Sequence, residues 1–280
     1  MSQEEIIVIR NFNLTLFSAA ILVFCLTGVS LADSDKYPYR VDFPQVKTIE
    51  SYDLKAGLDS GDYIAIDARS KLEYEVIHLN EAKHIAISKK TFLTKLKDVA
   101  RRNPGKKIAF YCNGTTCLKS YKATQKALDA GFTEVFAYDA GVPEWANMYP
   151  GETKLLGKPI TDPEKQLMSK AKFKARTFAW SYFKAASEGQ NVMVIDVRDN
   201  FQKTESLPDL ESARNIPLNN FIPNFVAKQI NQDKTLLIFD QVGKQVKWLQ
   251  YYLEEYGYDK YIFLDGGATS VLKEQEYQSW

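Results

Sequence analysis

Two of the chain's three cysteines, Cys112 and Cys117, are separated by Asn113, Gly114, Thr115 and Thr116, a run of small, turn-forming residues. A thiol is strongly nucleophilic once ionised, and its ionisation is set by its surroundings. The apolar run Ile108 to Tyr111 leads into the pair, and a helix-like segment beginning near Leu118 follows it. Strand, loop and helix in that order direct the loop N–H groups and the positive end of the helix dipole at one point, where Cys112 stands. A lowered thiol pKa is expected there, which points to sulfur nucleophilic chemistry. The competing reading is a buried strand-end cysteine, since free cysteine is among the most buried residue types. The turn-prone residues after Cys112 offer no apolar roof, and this favours the reactive thiol.

The rest of the composition narrows the chemistry. In 280 residues the formal net charge is +1, so there is no global case for a nucleic-acid partner. Cys25, Cys112 and Cys117 are too few for a disulfide scaffold and lack zinc-site spacing. With His78 and His84 the only histidines, a histidine-rich metal centre is excluded, and no cofactor is expected.

Asn11 to Ala32 carries no charge, and Leu14 to Val29 is mostly apolar. Ser30-Leu31-Ala32 then offers small residues where a signal peptidase cuts, which predicts a cleaved signal over residues 1–32 and an exported, periplasmic chain with no membrane attachment after cleavage. Glu4 and Glu5 against the single Arg10 depart from a basic leader, and an uncleaved anchor is the rival.

Beyond the leader, Asp33 to Val46 reads as an extended lead-in. Ser51 caps a helix through Leu58, Tyr63 to Ile66 is a strand ending in Asp67-Ala68-Arg69, Ala82 to Ile87 a second strand, and Thr91 to Arg101 a helix. The Cys112 strand and loop follow, then a helix from about Leu118 to Ala130 closed by Gly131, and a strand Glu134 to Tyr138. The second half repeats the landmarks. Asp196-Val197-Arg198 answers Asp67-Ala68-Arg69, Thr235 to Phe239 answers Ile108 to Tyr111, and Asp265-Gly266-Gly267 answers Asp139-Ala140-Gly141. The expected architecture is α/β: two tandem units over 33–155 and 160–280, joined around Gly151 to Pro163, each a mainly parallel sheet with helices on both faces.

These landmarks give the chain a resemblance to the rhodanese family in its tandem form, over roughly Val46 to Trp280. The resemblance rests on Asp67-Ala68-Arg69, the segment Glu73 to Ile85, the loop opening at Cys112, and Asp139-Ala140-Gly141 leading to Trp145. Ile77-His78-Leu79 and Glu81-Ala82 stand where the family usually has glycine-histidine-isoleucine and glycine-alanine. The resemblance implies a sulfurtransferase in which Cys112 carries a persulfide from a small-molecule donor such as thiosulfate to a thiol, cyanide-like or protein acceptor. The backbone from Asn113 through Gly114, Thr115 and Thr116 to Cys117 is then expected to cradle the outer sulfur, with Gly114 permitting the backbone bend, the threonine hydroxyls able to donate, and Lys119 attracting an anionic donor. Lys122 reads as a solvated face.

Asp67 with Arg69, and Asp196 with Arg198, are expected to pair and fix turns, and both histidines to be structural or surface groups. Asp240 replaces the cysteine in the second unit, which makes that unit catalytically silent. A cysteine phosphatase would need an arginine where Leu118 stands. A non-enzymatic binding or thiol-redox module using Cys112 and Cys117 remains the rival function. In the preferred reading Cys112 points to the loop centre and Cys117 packs into the helix base.

Overall fold

The computed structural model describes residues 36–203, 205–210 and 212–278. The leader read over residues 1–32 lies outside them. Among the described residues no helix is long and apolar enough to cross a membrane.

Two parallel sheets organise the chain. The first unit contains β1 (Tyr63–Asp67), β2 (Ile77–Leu79), β3 (Lys83–His84), β4 (Lys107–Tyr111) and β5 (Val135–Tyr138). Its parallel sheet runs β3-β1-β4-β5. The runs in β1 and β4 are buried over their last four residues, as strands covered on both faces must be. Helices Phe92–Arg102 and Lys119–Asp129 supply part of that cover. The second of these ends where Gly131, at φ +89°, turns the chain out of the helix, as expected for a glycine after the last turn.

Residues Thr153–Leu155 (β6) and Lys158–Pro159 (β7) pair antiparallel with β2 as β2-β6-β7. The stretch expected to be linker therefore stays with the first unit through Pro159. The second unit contains β8 (Thr177–Phe178), β9 (Val192–Asp196), β10 (Arg214–Asn215), β11 (Thr235–Phe239) and β12 (Tyr261–Leu264), in the parallel order β10-β9-β11-β12-β8.

Register establishes the repeat. Asp67 lies opposite Tyr111 across β1 and β4, and Asp196 lies opposite Phe239 across β9 and β11. The next residues, Cys112 and Asp240, are thus equivalent.

Several local expectations need correction. Residues 36–46 form successive turns rather than an extended lead-in. Tyr37 is buried there, and Arg40 pairs with buried Asp139 at 2.8 Å. Ser51 does not cap the helix Ser51–Asp59: Glu50 holds the N-cap position without a side-chain capping bond, and Ser51 is buried inside the first turn with its hydroxyl donating to Glu144 at 2.6 Å. The strand over Ala82 to Ile87 shortens to β3, since the adjoining residues engage β1 only through single hydrogen bonds such as Ile85 N–H to the Asp67 carbonyl.

The units meet where helix Gln245–Glu255 of the second packs on helix Lys71–Val76 of the first. Tyr251 enters the first unit's apolar core, and its hydroxyl accepts the Met168 N–H at 2.7 Å. The cleft beside this contact faces the Cys112 loop.

Candidate active site at the interdomain cleft

Strand β4 ends at Tyr111 and delivers Cys112 to the floor of a loop spanning 112–118, before helix Lys119–Asp129. The loop is held from behind by Gly141, whose φ of +65° and lack of a Cβ allow close approach. A Cβ there would stand 2.5 Å from the Cys112 carbonyl oxygen and collide with the Gly114 nitrogen. Val142 N–H donates to that carbonyl at 3.0 Å. Gly114 itself has φ +103°, the backbone bend expected of it.

Cys112 and Cys117 form a disulfide with Cα atoms 6.2 Å apart, within normal bridging range. This corrects the expectation that Cys117 points away into the helix base. It also revises the accessibility of Cys112, which is only 1 % exposed, because bonded Cys117 and the Gly141 turn cover it. Cys117, by contrast, lines the cleft. As a disulfide neither sulfur is a thiolate, so the lowered thiol pKa belongs to the reduced chain.

Behind the loop lies a buried polar clasp. The fully buried Arg69 guanidinium donates to the Asp67 carboxylate at 2.6 and 2.9 Å, to the Ile77 carbonyl at 2.5 Å and to the Asn113 side-chain oxygen at 2.9 Å. Asn113 in turn donates to Glu73 at 2.5 Å, and Lys119 pairs with the same carboxylate at 3.1 Å. Glu73 is placed by a capping box, in which the Ser70 hydroxyl receives the Glu73 N–H and the Glu73 carboxylate receives the Ser70 N–H. Burial opposes its charge, but Lys119 and the donors from Ser70 and Asn113 prevail and pull its pKa down to about 2.

Asp67 and Arg69 thus act structurally, as expected, with a link to the loop that only Asn113 supplies. Sequence reasoning missed Glu73. Its signal was the Ser70-to-Glu73 capping-box spacing.

The remaining loop residues fall into place around this clasp. The N–H groups of Asn113, Gly114, Thr115 and Thr116 have no hydrogen-bond acceptor among the described residues, while Cys117 N–H closes a turn onto the Gly114 carbonyl at 2.9 Å. Among the described residues the Thr115 and Thr116 hydroxyls have no hydrogen-bond partner, and Thr116 lines the cleft. Lys119 reaches the cleft already paired with Glu73, and Lys122 is exposed. His78 bonds the Tyr74 carbonyl at 2.7 Å and His84 the Arg69 carbonyl at 3.0 Å, with Tyr74 stacked on both rings, so both histidines are structural.

The equivalent loop in the second unit shows what such a loop holds. Its span is shorter, 240–244, and Asp240 turns its carboxylate into it. That carboxylate accepts N–H bonds from Val242 at 3.0 Å, Gln245 at 2.5 Å, Val246 at 3.2 Å, and also Gly243. Burial pushes its pKa up, while these donors pull against the shift. The loop is therefore a backbone cradle for an anion projected from the strand end. In this unit it is filled by the chain's own side chain.

The cleft has a volume of about 510 Å³. One wall comes from Glu73, Ile77, the loop residues Asn113, Thr116, Cys117 and Leu118, and Lys119 at the start of the helix. The facing wall comes from Gly243, Lys244, Lys247, Trp248 and Tyr251 of the second unit. Among the described residues no group of three or more histidine, cysteine, aspartate or glutamate side chains is arranged to hold a metal.

A curated relative, the tRNA uridine(34) hydroxylase of Salmonella paratyphi B, is 34% identical over 101 residues, covering 35% of this chain and 28% of the relative. The chain thus spans under a third of that protein's length. Among solved structures, thiosulfate sulfurtransferase from Pseudomonas aeruginosa aligns over 84% of this chain and 46% of its own at 17% identity and TM-score 0.36. A human single-domain sulfurtransferase aligns over 36% of this chain and 96% of its own at 22% identity and TM-score 0.31. The rhodanese-like domain model matches twice, at residues 50–148 and 179–274, and the chain therefore belongs to the rhodanese-like family, carrying that domain in tandem.

Proposed function

We propose that the chain moves sulfane sulfur from a donor such as thiosulfate to a thiophilic acceptor through a persulfide on Cys112. The observation that carries this reading is the anion cradle of the second unit, where backbone N–H groups surround the Asp240 carboxylate. In the first unit the N–H groups of Asn113 to Thr116 have no acceptor among the described residues, and the strand-end side chain is a cysteine. A persulfide is an anion one sulfur longer than a thiolate, and it matches such a cradle without any side-chain donor.

Reduction of the disulfide by external thiols frees Cys112. Its thiolate then attacks the outer sulfur of the donor, the sulfur–sulfur bond of thiosulfate breaks, and sulfite leaves with the electron pair. An acceptor takes the outer sulfur and restores the thiolate. Asn113, Gly114, Thr115, Thr116 and Cys117 bound the substrate position in this proposal, and Lys119 contributes through its pair with Glu73. The test is cyanide-dependent thiocyanate release from thiosulfate by the reduced protein, which Cys112→Ser should abolish. Release at the wild-type rate by that variant would refute the proposal.

The Cys112–Cys117 disulfide favours a second reading, a thiol-redox module cycling between dithiol and disulfide. A reduced protein that accepts no sulfur from any donor, yet reoxidises reversibly, would support that reading. We also propose export, resting on the charge-free stretch Asn11 to Ala32. N-terminal sequencing from the native source decides it, with a start at Asp33 expected and an intact Met1 opposed.

A further inference from the structure

Arg69 of the first unit meets a side chain of the second. Its guanidinium is fully buried and lies 5.7 Å from the centre of the Trp248 ring, carried on helix Gln245–Glu255, and 5.7 Å from the Tyr111 ring of its own strand β4. Both distances are within cation–π range, and that attraction is strongest where water is excluded. Trp248 is well held for the contact. It packs against the first unit's apolar core and stacks on Tyr251, three residues on along the same helix, with the ring planes 14° apart.

The repeat supplies a control. Arg198 stands in the place of Arg69, and Phe239 in the place of Tyr111, with its ring 5.4 Å from the guanidinium. Among the described residues Arg198 has no second ring, and its Nη1 has no hydrogen-bond partner. Gln241, which follows Asp240 as Asn113 follows Cys112, donates instead to the Thr269 hydroxyl at 2.9 Å. Among the described residues, a ring from the other unit and a bond from Nη1 to the strand-end loop therefore occur together, and only in the unit that has the cysteine. The combination has a physical reason. Asp67 and the Ile77 carbonyl engage Nε and Nη2, which leaves Nη1 for Asn113 alone, and a ring beside the guanidinium limits the room for water to compete for that bond.

We propose that Trp248, carried by the cysteine-less unit, is a positioning residue for the Cys112 loop and acts through Arg69 and Asn113. The proposal rests on the sulfurtransferase reading above, and it makes the order of the loop depend on the docked second unit. Asn113 is the first residue after Cys112, so its side-chain bonds with Arg69 and Glu73 orient the backbone where the cradle opens. Without the ring, water reaches the guanidinium, Asn113 is released, and the loop N–H groups lose their common aim. The Cys112 thiolate and its persulfide are then less well stabilised.

The test reads the Cys112 thiol with and without sulfur transfer. Trp248→Leu and Trp248→Met remove the ring and keep apolar bulk, while Trp248→Phe keeps a ring. In the Cys117→Ser full chain at neutral pH, alkylation of Cys112 by iodoacetamide, followed on its peptide by mass spectrometry, should slow at least about fivefold in both ring-free variants. Trp248→Phe should recover most of the rate. Sulfur loading at saturating thiosulfate should follow the same pattern, with the half-saturating concentration within about twofold of the parent. In an Asn113→Ala background Trp248→Leu should change either rate by less than about twofold, since its route to the loop is already cut. An unchanged alkylation rate in both ring-free variants, equal rates for Trp248→Phe and Trp248→Leu, a change in the half-saturating concentration alone, or a full Trp248→Leu loss in the Asn113→Ala background overturns the proposal. Loss of the folded circular dichroism signal in both ring-free variants would make the ring a support of the whole fold and likewise overturns it. If alkylation follows the ring while thiosulfate loads no sulfur onto Cys112, the positioning role stands and the sulfurtransferase reading falls.

Discussion

Cys117 lies between Cys112 and the cleft: it is bonded to Cys112, which is 1 % exposed, while Cys117 itself lines the cavity. The oxidised protein is therefore expected to accept no sulfur from thiosulfate, and a dithiol reductant should switch acceptance on. Cys117→Ser should remove the need for reductant and keep at least about a tenth of the reduced wild-type rate. Stopped assays with and without reductant read both effects. A Cys117→Ser protein that takes up sulfur at Cys112 but transfers none would make Cys117 a resolving thiol.

Gly141 sets the position of the loop. Gly141→Ala would place a methyl group 2.5 Å from the Cys112 carbonyl oxygen at a positive φ, so the loop must move. A loss of at least about tenfold in transfer is expected, with stability lowered by ~1–3 kcal/mol. Kinetics and denaturant melts on the same preparation check the pair of effects, and unchanged kinetics would show that the loop does not depend on this contact.

Asn113→Ala removes the acceptor of one buried Arg69 N–H and a donor to Glu73. The expected cost is ~1–3 kcal/mol of stability. The second unit gives a comparison, because the corresponding Nη1 of Arg198 has no partner there. Urea unfolding of the variant tests this, and a change within about 0.5 kcal/mol would mean the clasp contributes nothing.

Glu73 gives the fold an acid limit. Its pKa is about 2 in the folded chain against 4.5 ordinarily, so the folded state holds its proton less tightly than the unfolded state. The stabilisation is present above pH 4.5, falls as pH drops from 4.5 towards 2, and amounts to ~3 kcal/mol at most. Glu73→Gln should lose stability at neutral pH and flatten this part of the pH–stability curve. An unchanged curve would contradict the assignment.

Asp240→Ala should leave the transfer rate within a small factor of wild type, since no covalent step passes through it. It strands the N–H groups of Val242, Gly243, Gln245 and Val246, so a stability loss of ~1–3 kcal/mol is expected. A hundredfold rate loss with the fold intact by circular dichroism would overturn the silent role.

The tandem fold was legible in the sequence because its landmarks are strand ends, where an apolar run meets a fixed polar pair. Asp67 with Arg69 and Asp196 with Arg198 end β1 and β9, and their registers align Cys112 with Asp240. The small β2-β6-β7 sheet was not legible, because its pairing joins Ile77–Leu79 to Thr153–Leu155 across the whole first unit and leaves no local pattern. The site was half legible. Cys112, Gly114 and the loop follow from residue type and spacing. The contributions of Glu73, Lys247 and Trp248 depend on tertiary packing, and the Cys112–Cys117 bond depends on side-chain directions that a separation of five residues leaves open.

The most direct test is intact-protein and peptide mass spectrometry of the reduced chain after brief exposure to thiosulfate. One added sulfur atom on the peptide containing Cys112, retained in Cys117→Ser and discharged by cyanide, is the predicted result. Absence of any sulfur adduct on Cys112, in protein shown by thiol titration to be fully reduced, would contradict the persulfide account.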